Sequence, residues 1–132
     1  MLKIAHIALS VSNLTKSITF YHRHFGLICK EKYAHRDIGL KIAILKKGDF
    51  ALELFEFKKY KPLPEYRKDL DTDLRTIGVK HFSLEIGNIA RLYKKLKRAK
   101  VSFATDMRVF DNGLRYFFIK DPDGNLVEMM ER

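Results

Sequence analysis

Ile4-Ala5-His6-Ile7-Ala8-Leu9-Ser10-Val11 and Val79-Lys80-His81-Phe82-Ser83-Leu84-Glu85-Ile86 are two versions of one stretch. Each is a largely apolar run with a histidine at its third position, and the second begins 75 positions after the first. The same shift continues along the chain. Asn13 falls on Asn88, and Ala51-Leu52-Glu53-Leu54 falls on Leu126-Val127-Glu128-Met129. Glu53 follows His6 by 47 positions and Glu128 follows His81 by 47, without a gap. A fixed internal period marks duplicated architecture, so the sequence predicts two copies of one module.

Outward from these stretches, both halves follow one order. Residues 2–11 and 79–86 are β-rich, and an amphipathic helix comes next. In the first half Ser12 or Asn13 caps it, and Leu14, Ile18, Tyr21 and Phe25 recur at helical spacing. Gly26 ends it. In the second half Asn88 caps, Ile89, Leu92, Leu96 and Ala99 form the apolar stripe, and Arg91, Lys94, Lys95 and Arg98 face away. Three strands follow each helix, near 28–34, 40–47 and 50–57, then near 101–109, 114–120 and 125–131. Gly48-Asp49, Asn112-Gly113 and Asp121-Pro122-Asp123-Gly124 are the turn signals between them. The expected fold class is therefore α+β, with βαβββ modules at 1–57 and 79–132 in a single domain of 1–132. The connection 58–78 contains Pro62, Pro64 and a charged surface stretch from Glu65 to Arg75, with a short helix near 65–74.

The bulk numbers suit an ordered globular chain. It has 132 residues, 46% hydrophobic and 32% charged, enough to bury a core. No apolar run approaches the ~20 residues of a membrane span. The N-terminus reads as a strand and not as a secretory leader. One cysteine, Cys29, fits a reducing cytoplasm and a small core side chain. The net charge of +10 attracts anions. Its densest run, Arg91 to Lys100, is the outer face of the second helix, and no nucleic-acid motif accompanies it. Charge alone does not choose among nucleic acid, an anionic membrane and a small anionic substrate; with no nucleic-acid motif and no apolar span beside it, the expected partner is a small anionic substrate, with no specific nucleic acid and no membrane.

The four duplicated polar residues carry the chemistry. Strand side chains alternate faces. Ile4, His6, Ala8 and Ser10 share one face and Ala5, Ile7, Leu9 and Val11 the other, which is expected to be buried. Val79, His81, Ser83 and Glu85 share a face opposite Phe82, Leu84 and Ile86. Each histidine has a small neighbour on its own face, Ala8 or Ser83, which leaves room. Glu53 and Glu128 are carboxylates inside apolar strands, costly there unless paired or bound to a cation. One divalent metal ion held by His6, Glu53, His81 and Glu128 resolves all four positions. Imidazole nitrogen and carboxylate oxygen suit Zn, Ni, Co, Mn or Fe. His22, His24 and His35 read as surface residues, Glu56 and Glu131 as exposed charges on the opposite strand face, and Glu85, Arg115 and Tyr116 as residues that could line the site.

With these motifs in place, the sequence resembles the vicinal oxygen chelate superfamily, which includes glyoxalase I. The resemblance rests on Ile4–Val11 with His6, Phe20-Tyr21 ahead of Phe25-Gly26-Leu27, Leu52-Glu53-Leu54, Val79–Ile86 with His81, and Asp121-Pro122-Asp123-Gly124 leading to Glu128. It implies two βαβββ modules forming a cupped, mostly antiparallel sheet around a metal, and a homodimer. In glyoxalase I-like members the ligands are His, Glu, His and Glu, which match His6, Glu53, His81 and Glu128. Those enzymes isomerise the hemithioacetal of methylglyoxal and a thiol through an enediolate, with a glutamate moving the proton. By position, Glu128 is the first choice for that base and Glu53 the second. Two departures matter. Ser10 stands near the place of an arginine, and Glu56-Phe57 near that of an asparagine, that hold glutathione in the glutathione-dependent enzymes. The resemblance is therefore to a glyoxalase-like bacterial branch acting on another thiol adduct or vicinal-oxygen substrate.

The resemblance also covers epimerases, ring-cleaving dioxygenases and drug-binding resistance proteins. A dioxygenase site uses two histidines and one carboxylate, so the second glutamate argues against it. A metal-free drug-binding module has no need of four intact ligands, and a basic surface does not suit a cationic drug.

Overall fold

The computed structural model describes residues 1–132. The chain divides into two compact units, Met1–Pro62 and Leu63–Arg132, and each contains one βαβββ module.

The first unit runs β1 (Ile7–Ser10), α1 (Leu14–Phe25), β2 (Ile28–His35), a single 3₁₀ turn at Arg36–Ile38, β3 (Leu40–Lys47) and β4 (Phe50–Phe57). Its sheet has the order β1-β4-β3-β2, with β1 parallel to β4 and the other neighbours antiparallel. The β3–β4 connection is the tight turn at Gly48-Asp49, so those strands pair directly. The path from β1 to β4 passes through α1 and two strands, long enough for a parallel crossover. Asn13 caps α1 by accepting the Lys16 N–H at 2.9 Å. Gly26 ends it in the left-handed region at φ 70°, its N–H donating to the His22 carbonyl oxygen.

The second unit opens with two short helices, α2 (Glu65–Lys68) and α3 (Leu70–Arg75), where the sequence had predicted one. Next come β5 (Phe82–Ile86), α4 (Ile89–Arg98), β6 (Arg108–Val109), β7 (Arg115–Lys120) and β8 (Leu126–Glu131). The order β5-β8-β7-β6, with β5 parallel to β8, repeats that of the first unit. Asn88 caps α4 through the Arg91 N–H at 3.0 Å. The β7–β8 turn is organised by Asp121. Its Oδ1 accepts from the N–H groups of Asp123 and Asn125, and its Oδ2 from the Asn125 side-chain amide, all at 2.9 Å. Gly124 closes this turn at φ 92°, and a Cβ there would lie 2.8 Å from Lys68 Cγ.

One face of each sheet packs on its helix. Leu14, Ser17, Tyr21 and Phe25 of α1 are buried on the side of Ala43, Leu45, Leu52 and Leu54. In the second unit Ile89 and Leu96 of α4 are buried with Phe117, Ile119, Val127 and Met129. Ala99 is exposed rather than part of that stripe, because α4 ends at Arg98.

Several sequence expectations need correction. β1 and β5 begin at Ile7 and Phe82, not at residues 2 and 79, since the parallel ladders start at Ile7 opposite Leu52 and Phe82 opposite Val127. On β1, Ile7 and Leu9 are half-buried, not fully buried. The strand expected over 101–109 shrinks to β6 and an isolated bridge between Phe103 and Ile119. There the N–H groups of Ala104 and Thr105 both donate to the Phe118 carbonyl oxygen, while the Thr105 hydroxyl accepts from the Phe118 N–H at 3.0 Å. A side chain has replaced one rung of the ladder.

Candidate metal centre

The parallel pairings place the four duplicated residues. Ala8 is the partner of Glu53 across β1 and β4, and Ser83 is the partner of Glu128 across β5 and β8. The register is the same in both units under the 75-residue shift. Each histidine lies just ahead of its strand and two residues before that small partner. Its ring can therefore reach over Ala8 or Ser83 to the neighbouring glutamate. His6 Nε2 is 3.1 Å from Glu53 Oε2, and His81 Nε2 is 3.6 Å from Glu128 Oε2. The helix packs on the opposite side of each sheet, so the pairs occupy the side away from it.

The two pairs differ in their surroundings. The His6 side chain is 51% exposed and that of Glu53 19%; for His81 and Glu128 the values are 22% and 12%. Glu128 sits among Leu126, Val127 and Met129, all buried. His81 meets the Phe118 ring edge-on, with centroids 4.8 Å apart. At 3.6 Å its Nε2 is too far from Glu128 for a hydrogen bond, and its Nδ1 is buried without a hydrogen-bond partner. A largely buried imidazole lacking a hydrogen bond on either nitrogen calls for an explanation.

These donors fit a divalent ion. Nitrogen and oxygen ligands about 2.1 Å from a metal, at angles between octahedral and tetrahedral, stand about 3.0–3.4 Å apart. The first pair falls within that span and the second just beyond it. His81 and Glu128 would bind an ion without giving up any hydrogen bond between themselves. Within each unit the donors come as a pair; no group of three or more His, Cys, Asp or Glu side chains is placed to hold a metal.

Glu56 and Glu131 face away from the ligands, as alternation predicted, but they are not exposed charges. Glu56 accepts the Leu14 N–H at 2.5 Å and so joins Asn13 in capping α1, with Lys41 3.7 Å away. Glu131 accepts the Arg115 backbone N–H and Nε, each at 3.0 Å, and also pairs with Nη2. The Arg115 side-chain hydrogen bonds, aided by its backbone N–H, hold the Glu131 carboxyl down at about 2. Arg115 is thereby committed to Glu131. Tyr116 stacks on Phe110, centroids 4.0 Å apart, and meets Phe118 edge-on, so an aromatic row leads from Phe110 to His81. Glu85 is exposed on β5. His22 hydrogen-bonds the Leu27 carbonyl oxygen, and His35 is exposed at the end of β2. Sequence reasoning missed Phe110 and Phe118; the alternation of Tyr116 and Phe118 on the His81 side was the signal for the latter.

A duplicated βαβββ module with a His–Glu pair in each copy defines a class of protein, and the sequence agrees with it. The signature of the Glyoxalase/Bleomycin resistance protein/Dioxygenase superfamily matches residues 3–129, and the chain belongs to that superfamily. It is 28% identical over 131 residues to the uncharacterized protein YwbC of Bacillus subtilis (strain 168), covering 98% of each chain. It is 24% identical to the mitochondrial methylmalonyl-CoA epimerase of Homo sapiens, covering 96% of this chain and 72% of that protein. The structure superimposes on a glyoxalase family protein from Enterococcus faecalis with a TM-score of 0.83 at 24% identity, over 98% of this chain and 97% of that one. No helix is long and apolar enough to cross a membrane.

Proposed function

We propose that His6, Glu53, His81 and Glu128 bind one divalent metal ion, and that the chain is a metal-dependent lyase or isomerase of the glyoxalase I type. The observation that carries this is the repetition of one His–Glu pairing at one strand register in both units. A bound divalent ion would act as a Lewis acid on two adjacent oxygens of the substrate. The protein's own groups do the rest. His6 and His81 bind as neutral imidazoles. Glu128, the more buried carboxylate, removes a proton from the carbon beside the substrate carbonyl and returns it to the adjoining carbon. Glu53 is the alternative base. The aromatic row at Phe110, Tyr116 and Phe118 shields the Glu128 side from water.

The hemithioacetal of methylglyoxal and a thiol is the proposed substrate. Glutathione is a poor choice for that thiol, since Glu56 is engaged with the start of α1 and Ser10 is too short to bind a distant carboxylate. The +10 charge favours an anionic adduct. The same proton abstraction beside a carbonyl, followed by return of a proton to the same carbon from its opposite face, serves an epimerase, which the likeness to methylmalonyl-CoA epimerase supports as the second reading. We assign the protein to the cytoplasm, where a single thiol is kept reduced, and to a homodimer.

The test loads the chelator-stripped protein with Ni, Co or Zn and offers hemithioacetals of several thiols alongside methylmalonyl-CoA. Turnover of a hemithioacetal, reduced at least about 100-fold in Glu128→Gln, is expected. Turnover of the thioester alone makes it an epimerase; inertness toward both refutes the enzyme assignment.

A further inference from the structure

The segment ahead of His81 is held by charge, not by packing. Ile77 and Val79 are 102% and 86% exposed, and the β5 ladder starts only at Phe82. Yet His81 is mostly buried. Its counterpart His6, preceded by Met1, Leu2 and Ile4, which are likewise exposed, is itself half in solvent. What the second unit has and the first lacks is the α2–α3 segment.

Asp73 of α3 is 1% exposed. Its Oδ1 takes a hydrogen bond from Arg67 Nε at 3.1 Å and lies 3.5 Å from Lys80 Nζ. Those two cations reach onward to main chain on either side of Gly78. Arg67 Nη2 donates to the Val79 carbonyl oxygen at 2.9 Å; Lys80 Nζ donates to the carbonyl oxygens of Asp73, at 2.6 Å, and Thr76. One buried carboxylate therefore orients two cations, and through them the two residues directly before His81. Its Oδ2 has no hydrogen-bond partner, so the carboxylate is kept buried by these cations although one of its oxygens gains nothing there. A buried acid removed from its cations leaves them unneutralised, and the tie is lost as a unit.

We propose that Asp73, acting through Arg67 and Lys80, is the positioning residue of His81. This rests on the metal reading above for its functional sense, though not for its structural one. Groups that orient a ligand histidine typically change metal affinity 10–100-fold when lost.

The full chain is used as Asp73→Asn, as Arg67→Gln, which cuts only the Val79 tether, and as Arg115→Gln, an ion-pair control elsewhere in the unit. The first measurement needs no metal: the His81 imidazole NMR signals and amide exchange at residues 79–82. A single set of ring signals in the wild type should broaden or split in both clasp variants, with exchange at 79–82 at least about tenfold faster, and neither change should occur in Arg115→Gln. Co²⁺ titration should then show about tenfold weaker binding in both clasp variants. Unchanged ring signals and exchange in Asp73→Asn and Arg67→Gln overturn the proposal. So does full Co²⁺ affinity in variants whose ring signals have changed, since the clasp would then be purely structural. If the wild type itself takes no Co²⁺, the metal reading fails, and the clasp stands or falls on the ring signals alone. Should Asp73→Asn not fold, Arg67→Gln decides by the same readouts.

Discussion

Replacing Glu128 by glutamine should move stability in opposite directions with and without metal. In the metal-free protein the Glu128 side chain is 12% exposed, in a strand whose neighbours Val127 and Met129 are fully buried. The polar side chain facing it is His81, at 3.6 Å and beyond hydrogen-bond distance. An ion with so little compensation costs stability, and removing its charge while keeping its shape should return about 1–2 kcal/mol. For a chain of this length each kcal/mol is worth about 3–5 °C in Tm, so metal-free Glu128→Gln should melt a few degrees higher than the wild type. Metal reverses the order. At a free metal concentration about 1,000 times Kd, binding stabilises the wild type by about 4.1 kcal/mol. A 100-fold loss of affinity cuts that to about 1.4 kcal/mol, and the metal-induced rise in Tm shrinks by roughly 10 °C. The assay is a thermal melt followed by circular dichroism, with chelator and then with Ni²⁺ or Co²⁺, both proteins side by side. If Glu128→Gln lowers Tm in chelator and leaves the metal-induced rise intact, protein contacts hold Glu128 and it is no metal ligand.

Three other outcomes follow from the same geometry. Metal analysis of protein purified without chelators should find about one divalent ion per chain, nearly all of it lost in His81→Ala; His6→Ala, at the more exposed position, should retain more. Glu131 is depressed to about 2 from its ordinary 4.5 in the folded state. Its pairing with Arg115 thus adds stability above about pH 4.5 and loses it as pH falls through about 2. The gap in Tm between wild type and Glu131→Gln should be full at pH 7 and close across that window; a constant gap would contradict the ion pair. Leu96→Ala, at a fully buried position of α4, should cost about 2–5 kcal/mol in denaturant melts, whereas the exposed Lys94→Ala should stay within about 0.5 kcal/mol.

The duplication made most of the fold legible before any coordinates. Period-2 and period-3.6 patterns, Asn13, Gly26, Asn88 and the Asp121–Gly124 turn located both modules, because each of these signals is local. What failed was set by contacts distant in sequence. The first strand was read from residue 2 because its apolar run continues there, but its ladder with β4 starts only at Ile7, and residues 1–6 ahead of it are exposed. Glu56 was read as solvated because alternation turned it from the ligand face. That opposite face lies under α1, whose first turn has no acidic residue and whose Leu14 N–H donates to a carboxylate 42 residues away. Asp73 was hidden in a charged, proline-flanked stretch that resembles surface in composition. Its carboxylate is paired with Arg67 and Lys80 on either side of it in sequence, and no periodic pattern announces that. The four proposed ligands were legible because duplication supplied a comparison within one chain; their pairing distances were not.

The Asp121 turn has a consequence for how this chain tolerates insertion and deletion. Successive side chains on β8 point to opposite faces, so losing or gaining one residue between Lys120 and Leu126 would turn Glu128 toward α4 and present Val127 or Met129 to His81. Asp121 binds the N–H groups of Asp123 and Asn125, and Gly124, at φ 92° against the Lys68 side chain, holds a position where any other residue would be strained. That loop is thus the counting device of the strand. A frame slip of one residue there, with every donor still encoded, would erase the His–Glu pair as completely as mutating it.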